Sequence, residues 1–147
     1  MFARHQVQCA LALAREVDSV FARNDLIIPS VHDLGVRRHL RGGQSGADRA
    51  TLDWAIAHGI PHDGWCPRGR KTEDGALADR YVLRETPGFG YLQRTEWNVR
   101  DSDATLIFTL SDSLDGGSKR TAVFADRLGK PWLRVRPECS RNTWRAF

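Results

Sequence analysis

Arg41-Gly42-Gly43-Gln44-Ser45-Gly46-Ala47-Asp48-Arg49 is the stretch on which the reading of this chain turns. Three glycines within five residues follow a short β-like segment, Val36 to Leu40, and lead into a helical pattern. A strand, a glycine-rich turn and a helix start together present unpaired backbone N–H groups, and the helix dipole adds partial positive charge there. Glycine suits the turn because a Cβ would block the approach of a phosphate, and because a tight turn can require positive φ. Gln44 and Ser45 add side-chain donors, and Asp48 and Arg49 add charge. The spacing fits neither the dinucleotide GxGxxG pattern nor a Walker A loop, since no Gly-Lys-Ser/Thr follows. The residues point to an anion, most simply a phosphorylated small molecule, held by Gly42, Gly43, Gln44, Ser45 and Gly46.

Working outward, the helix after this loop carries Leu52, Ala55 and Ile56 as its inner face and stops at His58-Gly59 before Pro61. Ile60 to Trp65 is a strand candidate, and Pro67 to Pro87, rich in glycine, proline and charge, reads as a long irregular region of the kind that often carries function. Tyr91 to Asp101 is predicted helical with Leu92, Trp97 and Val99 inward, and Ala104 to Leu110 is the best strand, apolar enough to be a buried parallel one. A second glycine turn, Asp115-Gly116-Gly117-Ser118-Lys119-Arg120, then opens a helix through Leu128, and Trp132 to Val135 forms a last strand. Upstream, Val7, Leu11, Ala14, Val17 and Phe21 recur at intervals of three and four, which predicts an amphipathic helix over residues 3–24.

Alternating strands and helices predict an α/β fold, a Rossmann-like parallel sheet flanked by helices, with an N-terminal amphipathic helix and a shortened C-terminus. The expected organisation is a helical extension over 1–35, a ligand-binding domain over 36–137 and a basic tail over 138–147. Ligands of such sheets sit beyond the carboxyl ends of the strands, so both glycine turns should face one crevice. There Gly116, Gly117, Ser118 and Lys119 would hold a second anionic group. Arg94, Thr95 and Asn98 share one helical face and form a candidate polar wall, with Arg94 and Asn98 orienting the ligand.

The chain has 147 residues, 41% hydrophobic and 27% charged, enough for one domain with its own core. Cys9, Cys66 and Cys139 are odd in number and scattered, which argues against a disulfide framework. Without an apolar run of about 20 residues or a signal-peptide core, the expectation is a cytoplasmic protein away from membranes. The net charge of +4 suits an anionic metabolite. A nucleic-acid module using Arg134, Arg136, Arg141 and Arg145 is the weaker reading, because the cations are dispersed and not interleaved with the tryptophans. His58, His62 and Cys66 are spaced by four, but Gly59, Pro61 and Gly64 interrupt any helix between them, so no metal site is expected.

Gly42 to Ala50, Gly64-Trp65-Cys66-Pro67-Arg68-Gly69-Arg70, Glu73-Asp74-Gly75, Glu85-Thr86-Pro87, Arg94 to Asp103 and the Gly116-Gly117 turn resemble successive motifs of one family. It is the family of putative molybdenum carrier proteins, a circularly permuted branch of the SLOG superfamily with a Rossmann-like fold. The resemblance runs from about Leu40 to Arg136. It implies a ligand-binding fold related to phosphoribohydrolases and to carriers of molybdenum cofactor, a phosphorylated pterin. The ligand is then nucleotide-like or molybdenum cofactor, with no cofactor established. The related phosphoribohydrolases place a catalytic glutamate after the glycine pair, whereas Ser118 to Ala125 here contain no carboxylate. This favours binding over catalysis; the enzyme alternative would draw on Asp48, Glu96 or Asp101. Arg41 replaces the family's small hydroxyl residue, and relatives continue past Val135 through another strand, a glycine-proline loop and a helix. The N-terminal helix is therefore expected to cover sheet surface left bare at the C-terminus, and a homodimer is plausible.

Overall fold

The computed structural model describes residues 6–10, 39–41, 46–109 and 112–136. Its main sheet is formed by β1 (Gln6–Ala10), β2 (His39–Arg41), β3 (His62–Asp63), β8 (Ala104–Phe108) and β9 (Trp132–Val135), in the order β3-β2-β1-β8-β9. Every neighbouring pair is parallel. Among the described residues three α-helices accompany it: α1 (Ala47–Ala57), α2 (Tyr91–Asp101) and α3 (Gly116–Arg127). The α/β parallel architecture expected from the alternation of elements is present.

β8 shows why the sheet is covered on both sides. Leu106 and Phe108 pack with Ala47 and Ala50 of α1 and with Leu133 and Val135 of β9. Ile107, pointing the other way, packs with Ala122 of α3, Leu114 and Trp132. The two-residue alternation of a strand thus splits one apolar run between two layers. A third cluster, Leu52, Cys66, Leu77 and Tyr81 with Leu83, joins α1 to the 65–85 region.

That region, expected to be irregular, is held by small pairings. β4 (Trp65–Cys66) runs parallel to β7 (Arg84–Glu85), and β5 (Lys71–Thr72) pairs antiparallel with β6 (Gly75–Ala76). Arg70 organises the rest: its guanidinium donates to the carbonyls of Leu77 (3.0 Å), Ala78 (2.8 Å) and Tyr81 (2.9 Å). The planar fork of an arginine can satisfy several loop carbonyls at once, which a lysine could not do with fixed geometry.

Several expectations are corrected. Residues 6–10, predicted as helix, form β1, and β1 sits in the middle of the sheet between β2 and β8. The three-and-four spacing of Val7 and Leu11 gave way to strand pairing, because the central slot between two parallel strands offers partners on both edges. Residues 11–24 lie outside the described residues, as does the tail beyond Arg136. Of the strand expected over 36–40, residues 36–38 lie outside the described residues, and β2 covers His39–Arg41, so Arg41 belongs to a strand and not to the turn. The single strand expected over 60–65 is divided between β3 and β4, which belong to different sheets. Ile56 and Leu92, assigned inward, are exposed. The buried face of α1 runs through Ala47, Thr51 and Ala55, and that of α2 through the polar Arg94, Thr95 and Asn98. An apolar periodicity argument cannot see a helix that turns polar residues inward.

Because β1 links β2 to β8, its loss leaves two strand pairs with a gap between them. A chain lacking residues 1–10 should lose its cooperative thermal transition, as followed by circular dichroism. A truncated chain that melts sharply at the full-length temperature would contradict the central placement of β1.

Candidate functional site

In an all-parallel sheet the carboxyl ends of the strands share one edge, and each helix leading into the next strand runs back toward the opposite one. α1 begins directly after β2, and α3 after β8, so both start at the carboxyl edge. α2 reaches the same edge by length. Its 11 residues at about 1.5 Å each match the roughly 16 Å of the 5-residue β8 that follows it after a two-residue connection. Three helix N-termini therefore gather beyond the carboxyl ends, flanking β1.

A buried ion pair fixes this arrangement. Arg94 in the first turn of α2 donates from Nη1 to Asp48 Oδ2, in the first turn of α1, at 3.1 Å. The side chains are 6% and 1% exposed, so both charges are out of water. Arg94 compensates the carboxylate at the start of α1, which would otherwise cancel the positive end of the helix dipole. Beside it, Arg49 donates to Thr72 Oγ1 at 3.5 Å and lies 3.6 Å from Asp74, tying α1 to the β5–β6 hairpin. Tyr81 donates to Asp53 at 2.8 Å, a further tie between α1 and the 77–81 segment.

None of the three helices has a side-chain hydrogen bond at its N-cap, the positions being Gly46, Gly90 and Asp115. Gly46 has φ 68° and Gly116 φ 45°, conformations that glycine adopts without the Cβ penalty. Gly116 and Gly117 are exposed, and a Cβ built on either would meet nothing within 4 Å. Lys119 is exposed beside them, while Ser118 is buried. Gly42, Gly43, Gln44 and Ser45 lie outside the described residues.

The polar wall expected on α2 is engaged inside the protein. Asn98 is fully buried and brackets one residue: the Trp65 N–H donates to Oδ1 at 2.8 Å, and Nδ2 donates to the Trp65 carbonyl at 2.9 Å. Its amide thus imitates a neighbouring strand for β4. Arg94 serves Asp48 in the same way. Both are expected from the sequence to orient a ligand, and in the structure both make these contacts within the protein. Trp97 is half-buried, edge-on to Trp65 at 4.7 Å, with the Arg100 guanidinium over its ring at 4.9 Å. Trp65 also donates from Nε1 to Asp101 at 2.8 Å, which leaves this acid bound to an indole and to Arg100.

His58, His62 and Cys66 are separately engaged. His58 Nδ1 contacts the Trp54 carbonyl at 2.8 Å, His62 accepts from Val82 N–H at 3.3 Å, and Cys66 is fully buried with Sγ 3.5 Å from the Arg84 carbonyl. Burial pushes the Cys66 thiol above its ordinary pKa, with Arg70 opposing and Glu85 adding to the shift. Sequence alone gave no sign of Arg70 as a loop clamp, or of Phe89, which stands 63% exposed immediately before the α2 N-cap.

Residues 40–146 match the model of the circularly permutated YpsA SLOG family. The chain belongs to that family. A solved structure of a protein named "Putative molybdenum carrier protein" from Syntrophus aciditrophicus SB is 48% identical, with a TM-score of 0.65 over 68% of this chain. The match spans 63% of that protein's length. No curated protein sequence matches this chain. β1 lies outside the residues matched to the family model, although it fills the middle of the sheet. No helix among the described residues is long and apolar enough to cross a membrane.

Two outcomes follow from these contacts. Replacing either Arg94 or Asp48 alone, as in Arg94→Met or Asp48→Ala, should cost about 3–5 kcal/mol in urea unfolding, because one buried charge loses this ion-pair contact. Replacing both should cost much less than the sum. For Cys66, the folded pKa is raised, so its contribution is complete below the unfolded thiol pKa and is lost as pH rises through the folded one. Stability should therefore fall on the alkaline side of the ordinary thiol range, and Cys66→Ala should flatten that part of the profile.

Proposed function

We propose that this chain binds a phosphorylated small molecule at the carboxyl edge of its sheet and releases it unchanged. The supporting observation is the Asp48–Arg94 pair, which brings the first turns of α1 and α2 together on the edge where α3 also begins. Convergent helix N-termini without side-chain caps favour negative oxygens through the helix dipole. Gly116, Gly117 and the Lys119 side chain hold one anionic group, and the glycine-rich residues 42–46 hold another. The ligand is nucleotide-like or molybdenum cofactor. The second possibility draws on the name of the 48% identical relative.

The chemistry of α3 favours binding over hydrolysis. Its first carboxylate, Asp126, accepts from Trp132 Nε1 at 2.8 Å. Ten residues at about 1.5 Å each place it some 15 Å from Gly116, toward the opposite edge of the sheet. Glycosidic cleavage needs an acid or base at the scissile bond. Asp48 and Asp101 are bound to Arg94 and to Trp65 and Arg100. Incubation with nucleoside monophosphates should accordingly release no free base.

Native mass spectrometry of freshly purified protein should show a retained phosphorylated ligand. Gly117→Asp should abolish its retention while leaving the melting temperature within a few degrees, because the new side chain meets open space yet sets a negative charge at the helix start. Undiminished retention in that variant would remove the α3 turn from the site.

A further inference from the structure

We propose that Phe89 is a stacking platform for the planar ring of the ligand, so that the site selects a phosphorylated heteroaromatic over a bare sugar phosphate. The inference rests on the phosphorylated-ligand reading above and names the ligand class of that same site. Phe89 is 63% exposed, an unusual setting for a ring that gains so much from burial. Its loop is firmly held. Thr86 Oγ1 lies within hydrogen-bond distance of the Cys66 and Gly88 carbonyls, at 3.3 and 3.1 Å. The Gly88 N–H donates to Gln93 Oε1 at 3.2 Å, and the Arg68 N–H to the Gly88 carbonyl at 3.0 Å. A ring carried on an anchored loop has lost most of the freedom that binding would otherwise have to remove.

The Arg68 guanidinium lies over the Phe89 ring, 5.2 Å from its centroid. With one face so covered and most of the residue exposed, the remaining ring surface is open to solvent. Phe89 stands two residues before α2, whose first turn is pinned by Arg94 to the first turn of α1. Phe89 is therefore joined through the N-cap Gly90 to the helix start that this pair holds. The other aromatic candidates are engaged: Trp97 lies edge-on to Trp65 under Arg100, and Arg84 covers Trp65 at 4.3 Å.

The test uses calorimetric titration of the full chain with AMP and with neopterin monophosphate, each carrying a fused heteroaromatic ring and a phosphate, and with ribose 5-phosphate as the ring-free control. Wild-type protein should bind at least one ring-bearing ligand more tightly than ribose 5-phosphate. Phe89→Ala should weaken that ligand about tenfold and leave ribose 5-phosphate unchanged, and Phe89→Trp should restore it. Which ring gains tells a nucleotide from a pterin. Equal affinity for ring-bearing and ring-free ligands, or an unchanged affinity in Phe89→Ala, overturns the stacking role and leaves the phosphate site standing. Binding of none of the three by wild-type protein overturns both.

Discussion

A buried ion pair, Asp48 with Arg94, joins the first turns of two helices in this protein. Removing two charges from water costs several kcal/mol each, repaid only when geometry and surrounding hydrogen bonds are good. Such a pair is a poor source of stability compared with apolar packing, yet it is specific, because each partner has few acceptable alternatives. Here it sets how α2 lies against α1, and with that the spacing of the helix starts beyond the sheet. Displacing it would alter the proposed crevice before it altered the sheet.

The same economy recurs around the edge. Asn98 holds Trp65 by both backbone groups, Arg70 gathers three loop carbonyls, and Tyr81 reaches Asp53. Polar side chains thus replace regular secondary structure over 65–85, where the described strands are only two residues long. Backbone groups in such a segment must find partners, and side chains with planar, multidentate heads supply them. Beyond this frame Gly116, Gly117 and Lys119 stand exposed at the start of α3.

Membership of the circularly permutated YpsA SLOG family accounts for the motifs from residue 40 onward. It does not by itself account for β1, which lies outside that match and occupies the central position. Within the described residues, the matched strands form two pairs, β3-β2 and β8-β9, and β1 is the strand that unites them.

Legibility in the sequence followed the range of the forces involved. α2, α3 and β9 were readable almost to the residue, because caps, glycines and short apolar runs act locally. Gly46 and the Gly116 turn likewise announced helix starts through backbone conformation alone. β1 is not legible locally, since a segment whose apolar spacing suits a helix becomes a strand only when two distant strands offer it hydrogen bonds. The roles of Arg94 and Asn98 were hidden for a related reason. A polar residue looks the same in a sequence whether it faces solvent, a ligand or a buried partner 46 or 33 positions away. Local patterns were enough for the parallel α/β architecture and for the turn at Gly116. The tertiary structure alone decided which charges are buried, which strand is central and which aromatic ring stays in water, because those outcomes depend on long-range pairing that no local pattern encodes.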